Sequence, residues 1–333
     1  MTAAIPKQWI KKTLVRSGGL RLAARLAPAA AVILMYHSIA KDPEVTRNTI
    51  GLSQSLKDFE AHMRTLAQRF SPVTIEQVAQ FAREGKTLPK RAVVVTFDDG
   101  FLDNYECAFP VLNHYGVPAT FYILVNAIET GALPWYCRLN FAFRTTTKGE
   151  WKYGQPANRY RLYASEGRFA GLTKAWEIGT SKMGEDQERF IEQVEKTLEV
   201  EAPQSRFMLS WHKVRRLKEA GHTIGAHTLS HPNLAHVSAE DAGRQIVGSK
   251  LRLEKEVGAP VEHFSYPHPA LDPQSTPRTV QITREAGFKS AVLTERGPVR
   301  RGDEALKLRR IYAANDLNQW IWNLECTFLG RSI

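Results

Sequence analysis

Val93-Val94-Val95-Thr96-Phe97-Asp98-Asp99-Gly100 is an apolar run that ends abruptly in two adjacent carboxylates and a glycine. A continuous Val-rich stretch reads as a strand buried on both faces, and parallel α/β folds place their chemistry at the C-terminal ends of such strands. Asp98 and Asp99 are therefore candidate functional acids. The same Asp-Asp-Gly also suits a plain turn, with Asp99 capping a following helix. What favours a site lies downstream, in Gly225-Ala226-His227-Thr228-Leu229-Ser230-His231-Pro232. Two imidazoles and a carboxylate make a metal hypothesis.

Working outward, Ala31-Val32-Ile33-Leu34-Met35-Tyr36-His37 repeats the same pattern, an apolar strand ending in a titratable side chain. In a shared parallel sheet His37 reaches the rim that carries Asp98 and Asp99, although a lone His is more often structural than catalytic. From Ser55 the pattern turns helical, with Leu56, Phe59, Met63, Leu66 and Phe70 at three-to-four spacing. Thr74-Ile75-Glu76-Gln77 reads as a capping box opening a second helix. A helix over about 103–115 stops at Gly116 and leads into an apolar run, Val117 to Leu124. That unit of helix, stop glycine and apolar run recurs at Gly221, Gly258 and Gly287, which predicts a parallel sheet of β/α units, a β/α barrel or a relative of it.

The alternation lapses between about 130 and 205, an insertion carrying Trp135, Tyr136, Trp151, Tyr153, Tyr160, Tyr163 and Trp176. Most of these aromatics are expected to build the insertion's own small core, with Trp135 and Tyr136 singled out as cleft residues. Beyond the insertion, Leu209 to Ala220 reads as a helix feeding a short strand, His222 to Ala226. His227 and His231 follow that strand on a loop or helical turn at the rim. With Asp99 they supply two nitrogens and one oxygen, a set suited to zinc or another divalent ion with positions left for water and substrate.

The 333 residues are 43% hydrophobic and 24% charged, an ordinary globular composition that can bury a large core. Cys107, Cys137 and Cys326 are widely spaced and odd in number, which argues against a disulfide framework or thiolate metal site and fits a reducing compartment. The net charge of +11 suggests an anionic partner, but the basic residues are spread and no recognised nucleic-acid motif is present, so no nucleic acid is expected. Residues 1–30 hold Lys7, Lys11, Lys12, Arg16, Arg21 and Arg25 among Trp9, Ile10, Leu14, Leu20 and Leu26, without the unbroken apolar run of a signal peptide. They read as a basic amphipathic segment that holds a cytoplasmic enzyme against the inner face of an anionic membrane; a helix docked on the barrel or a disordered leader is the alternative.

Thr96-Phe97-Asp98-Asp99-Gly100 and His227-Thr228-Leu229-Ser230-His231 resemble the first two motifs of the polysaccharide deacetylase family, the NodB homology domain of carbohydrate esterase family 4. The likeness extends through Leu209 to Trp211, Ser238 to Gly258 and Phe264-Ser265-Tyr266-Pro267, and covers most of 31–313 apart from the insertion. The resemblance implies a deformed β/α barrel with an inserted subdomain, followed by a C-terminal helix within 314–333. It also implies a metal-dependent hydrolase that removes the N-acetyl group from an amino sugar in a polysaccharide or lipid-linked glycan. By the same resemblance Asp98 is the general base, and Asp99, His227 and His231 hold the metal, zinc in the first instance. Tyr266, Pro267 and His268 fall at the substrate cleft.

Two features depart from the family pattern. The third motif's base-orienting Arg is replaced by Ser265, so Arg309 or Arg310 is expected to substitute. The C-terminal acid His is absent, and His37 matches the Met-Tyr-His branch, similar to biofilm poly-N-acetylglucosamine deacetylases, in which that His is the general acid; His268 is the next candidate. The competing readings are an amide hydrolase of this fold with a non-sugar substrate, a non-catalytic glycan-binding relative, and a basic membrane or nucleic-acid binding protein.

Overall fold

The computed structural model describes residues 30–154 and 158–331, so the expected basic segment, apart from Ala30, lies outside the described residues. In chain order the strands are β1 Ala30–Tyr36, β2 Ser38–Ala40, β3 Ser53–Ser55, β4 Ser71–Pro72, β5 Ala92–Phe97, β6 Ala119–Ile123 and β7 Glu150–Tyr153. They continue with β8 Asn158–Arg161, β9 Thr223–Ala226, β10 His263–Ser265, β11 Ser290–Val292, β12 Val299–Arg300 and β13 Ile311–Tyr312. The main sheet runs β11-β10-β9-β6-β5-β1, all parallel, with β4 beside β5, β13 parallel to β1 and β12 antiparallel to it.

The chain from Leu308 to Ala313 closes this sheet. On one side Leu308 N–H donates to Ala291 O (2.8 Å), Leu293 N–H to Leu308 O (2.9 Å) and Arg310 N–H to Glu295 O (2.9 Å). On the other, Ile311 and Tyr312 pair with Leu34 and Met35 of β1. The result is the deformed β/α barrel that the repeated units imply.

Alternation along β1 and β5 divides the core in two. Val32, Leu34 and Tyr36, with Val93, Val95 and Phe97, join the large cluster that includes Phe59, Met63 and Leu66 of the helix Leu56–Arg69. Ala31, Ile33, Ala92 and Val94 instead meet Tyr122, Val292 and Leu308 inside the barrel, over Ile75 and Val78 of the helix Ile75–Glu84. Both faces are buried, which is why the sequence of each strand is continuously apolar. The Thr74 capping box is present in full, with the reciprocal Thr74 and Gln77 bonds, and Ser55 caps the preceding helix by accepting from Asp58 N–H.

The helix expected over about 103–115 is not uniform. It opens as a π-helical turn, Asn104–Ala108, and becomes α-helical over Phe109–Tyr115. Pro110, early in that segment, lacks an N–H and cannot continue an ordinary ladder. The wide turn places Asn104 Nδ2 where it donates to His37 O at 2.6 Å, bracing the end of β1.

The insertion comprises the helices Trp135–Thr145, Ser165–Thr180 and Gly184–Leu198 and the β7–β8 hairpin. Its own core holds Trp135, Leu139, Phe143, Trp151, Leu172, Phe190 and Ile191. A last helix, Leu317–Phe328, packs Trp320 on His62 with ring centroids 4.8 Å apart and plants Glu325 on Arg91 at 2.7 Å, an ion pair buried on both sides. Cys107, Cys137 and Cys326 are all free and buried. Among the described residues no helix is long and apolar enough to cross a membrane.

Candidate active site

Register brings the site together. Tyr36 pairs with Phe97, so His37 and Asp98 leave β1 and β5 side by side, and Ile123 pairs with Ala226, so His227 leaves β9 next to the end of β6. Along β5 and just past its end, Val94, Thr96 and Asp98 point into the barrel by the two-residue period of a strand. Asp99 would then point out, but its left-handed φ of 74° turns the chain and brings both carboxylates inward. Thr228 and His231 also have positive φ, 67° and 61°. Such conformations cost free energy in non-glycine residues and concentrate where a fixed geometry is required.

The two aspartates have opposite surroundings. Asp98 receives both arms of Arg310, at 2.8 Å from Nη1 and 2.7 Å from Nη2, and Ser265 Oγ lies 3.4 Å away. Arg310 is itself wholly buried; its Nε donates to Leu293 O (3.0 Å) and its Nη2 also reaches Ser265 Oγ (3.0 Å). Burial pushes the Asp98 carboxyl up, but the Arg310 guanidinium and His227 outweigh it and leave it below the usual range. Asp99 has no such clamp, and its Oδ1 is buried without a hydrogen-bond partner.

That oxygen faces His227 Nε2 at 3.4 Å and His231 Nε2 at 3.6 Å, and the three ligating atoms all lie within 4.8 Å of one another. Burial would raise Asp99, yet the two imidazoles hold it well below the carboxylate range. His227 Nδ1 donates to Ser265 O at 2.7 Å, which fixes the ring with Nε2 toward Asp99. Burial drives His231 down to about 3, so it presents a neutral nitrogen. Gln245, from the helix Ala239–Val257, accepts from Leu229 and Ser230 N–H through Oε1 and holds the His227–His231 loop in place.

These residues open on a cavity of about 380 Å³ lined by His37, Asp98, Asp99, His227, His231, Tyr266 and His268. The insertion supplies the facing wall through Tyr136, Asn140, Arg144, Phe169 and Trp176. Burial lowers the pKa of His37 against the opposing pull of the two aspartates.

Three expected residues fall elsewhere. Arg309 points outward to Glu295 (3.5 Å), because neighbours on an extended segment face opposite sides and Arg310 takes the inner one. Trp135 is directed into the insertion's core, and its Nε1–H donates to His231 O at 3.4 Å. Pro267 does not line the cavity, whereas Pro269 does. Thr96 Oγ1, which accepts from Arg310 Nη1 at 3.3 Å, Ser265 Oγ and Gln245 were not legible as site residues; the signal for Gln245 is a buried amide in the apolar stripe of its helix.

The fold and site together define a curled, parallel β/α barrel whose rim carries a clamped carboxylate, Asp98, beside a buried Asp99-His227-His231 cluster. The family model for polysaccharide deacetylases matches residues 85–291, and the chain belongs to that family. It is 36% identical over 102 residues to the Bacillus subtilis protein YxkH and 31% identical over 101 residues to a poly-beta-1,6-N-acetyl-D-glucosamine N-deacetylase of Escherichia coli. Each match spans 30% of this chain but only 34% and 15% of those proteins' own lengths. The fold is shared with the Streptococcus pyogenes deacetylase PplD, solved in complex with acetate, at a TM-score of 0.61 and 20% identity over 90% of this chain and 99% of that one.

Proposed function

We propose that the protein is a metal-dependent N-deacetylase acting on an N-acetylated amino sugar in a polysaccharide or lipid-linked glycan. The observation that carries this reading is the asymmetry of the two neighbouring aspartates: Asp98 is fully hydrogen-bonded by Arg310, while Asp99 keeps a buried, unpartnered oxygen aimed at two imidazoles. Buried polar atoms without partners are rare, and a donor set of two nitrogens and one oxygen is what a divalent ion such as zinc accepts. Asp99, His227 and His231 fit the ion. When bound, it supplies a Lewis acid that polarises the acetyl carbonyl and lowers the pKa of the attacking water.

The chain's own residues supply the rest. Asp98, ionised and held by Arg310, accepts the proton of the attacking water. His37, on the adjacent strand end, delivers a proton to the amine as the C–N bond breaks. The products are acetate and the free amino sugar. The insertion's wall, with Trp176 and Phe169, gives the sugar an aromatic surface to stack on.

Mass spectrometry of a panel of N-acetylated glycans, polymeric and lipid-linked, after incubation with zinc-loaded protein tests the reading. Loss of one acetyl group, replaced by hydrogen, is the expected change, and its absence from every glycan together with turnover of a non-sugar amide would overturn it. For location, we propose that residues 1 to about 28 hold the enzyme on the cytoplasmic face of an anionic membrane, each cation contributing roughly 1 kcal/mol before screening. Salt-sensitive co-sedimentation with anionic liposomes, lost on deleting that segment, is the expected result; equal binding by both forms would refute it.

A further inference from the structure

Tyr136 stands at the start of the helix Trp135–Thr145 in the insertion, and its hydroxyl is buried without a hydrogen-bond partner. Its side chain lines the cavity with His37, Asp98, Asp99, His227 and His231. Asp99 lies near the hydroxyl without completing a hydrogen bond to it, yet the ring is firmly placed. It lies against His231 with centroids 4.4 Å apart and meets Trp135 edge-on at 5.7 Å. Two indoles fix the backbone around it: Trp176 Nε1–H donates to Tyr136 O at 3.0 Å, and Trp135 Nε1–H donates to His231 O at 3.4 Å. A phenol positioned by everything except its own oxygen is a donor kept for something that arrives.

The neighbours narrow what that is. Both carboxylates beside it already have tasks, Asp98 on Arg310 and Asp99 facing the two imidazoles. A phenol O–H is a donor as well as an acceptor, so it can serve an incoming oxygen. The group that enters with substrate and gains negative charge next to this triad is the acetyl oxygen.

Resting on the deacetylase reading, we propose that Tyr136 is a catalytic residue whose hydroxyl donates a hydrogen bond to the acetyl oxygen as that oxygen becomes an oxyanion. No proton leaves the phenol. Water's oxygen bonds to the acetyl carbon, the C–N bond breaks, Asp98 takes the water's proton and His37 protonates the amine; the phenol strengthens its bond only while charge sits on the oxygen, so it acts on the rate rather than on binding. The insertion thus contributes to the chemistry as well as to the wall of the cleft.

Tyr136→Phe tests this, because it keeps the ring against His231 and removes only the oxygen. The probe is a β-1,6-linked N-acetylglucosamine pentamer, with kcat, KM, bound zinc and urea unfolding measured on wild type and variant. The expected result is a fall in kcat of about 10² or more, the scale of a lost oxyanion donor, with KM, zinc content and unfolding midpoint unchanged. A variant with wild-type kcat overturns the proposal. So does a variant that loses zinc and regains its rate when zinc is added, since the hydroxyl would then be serving Asp99. A wild type inactive on this pentamer and on the whole glycan panel overturns the deacetylase reading and this inference with it.

Discussion

Replacing Arg310 by Met exposes how much of the barrel's stability and chemistry rests on one buried guanidinium. Arg310 makes two bonds to Asp98 at 2.8 and 2.7 Å, one to Ser265 Oγ at 3.0 Å and one to Leu293 O at 3.0 Å, and none of its surface is exposed. Met fills a similar volume but strands the Asp98 carboxylate, itself only 2% exposed, in a low-dielectric interior. Breaking a buried pair in this way costs about 3–5 kcal/mol, a large share of the roughly 5–15 kcal/mol that stabilises a whole domain. Asp98→Asn in the same background removes the stranded charge, so the double variant should recover at least half of the loss, and Arg310→Lys, with a point charge in place of a fork, should fall between. Urea unfolding of the metal-free proteins reads all four. The pH profile gives an independent sign: with Arg310 present the Asp98 pKa lies below its ordinary value, and without it burial is opposed only by His227 and His37, so that pKa rises and the acid limb of kcat/KM moves to higher pH. A loss under about 1 kcal/mol, or a double variant no more stable than Arg310→Met, would refute the reasoning.

Metal content and turnover should separate between neighbouring residues: Asp99→Ala and His227→Ala lose bound zinc, whereas Asp98→Asn keeps it and loses its rate, so elemental analysis showing Asp98→Asn empty would reverse the assignment. His37→Ala should lower kcat by about 10² with zinc retained; normal turnover would move the acid to His268, which lines the same cavity. Away from the site, burial drives His62, His222 and His263 each down to about 4. Their folded pKa values lie below the unfolded one, so their contribution is present above about pH 6.5 and is lost as pH falls toward 4, by at most about 3 kcal/mol each. The urea midpoint should drop steeply over that window, and a flat profile would count against it.

What the sequence determined by itself is whatever depends on near neighbours. The Val-rich strand ending in Asp98-Asp99-Gly100, the capping box at Thr74, the stop glycines and the His227–His231 spacing are all set by interactions within a few residues, and a linear reading reaches them. Pro110 was equally visible, yet its consequence, a π-helical turn that braces His37, emerges only when the turn packs against β1. The choice between Arg309 and Arg310 could not be read along the chain. It is decided by the register in which Leu308–Ala313 closes the sheet between β11 and β1, because a slip of one residue would exchange the inner and outer side chains of that segment. The contrasting surroundings of Asp98 and Asp99 likewise follow from a left-handed turn and from a guanidinium 212 residues away. Trp135 and Tyr136 are adjacent aromatics of similar size, and the helix they open sends one into the insertion's core and the other into the cleft. Periodicity and caps are local energies written in composition, whereas which face meets which partner is settled by long-range pairing, and there the tertiary structure alone decides.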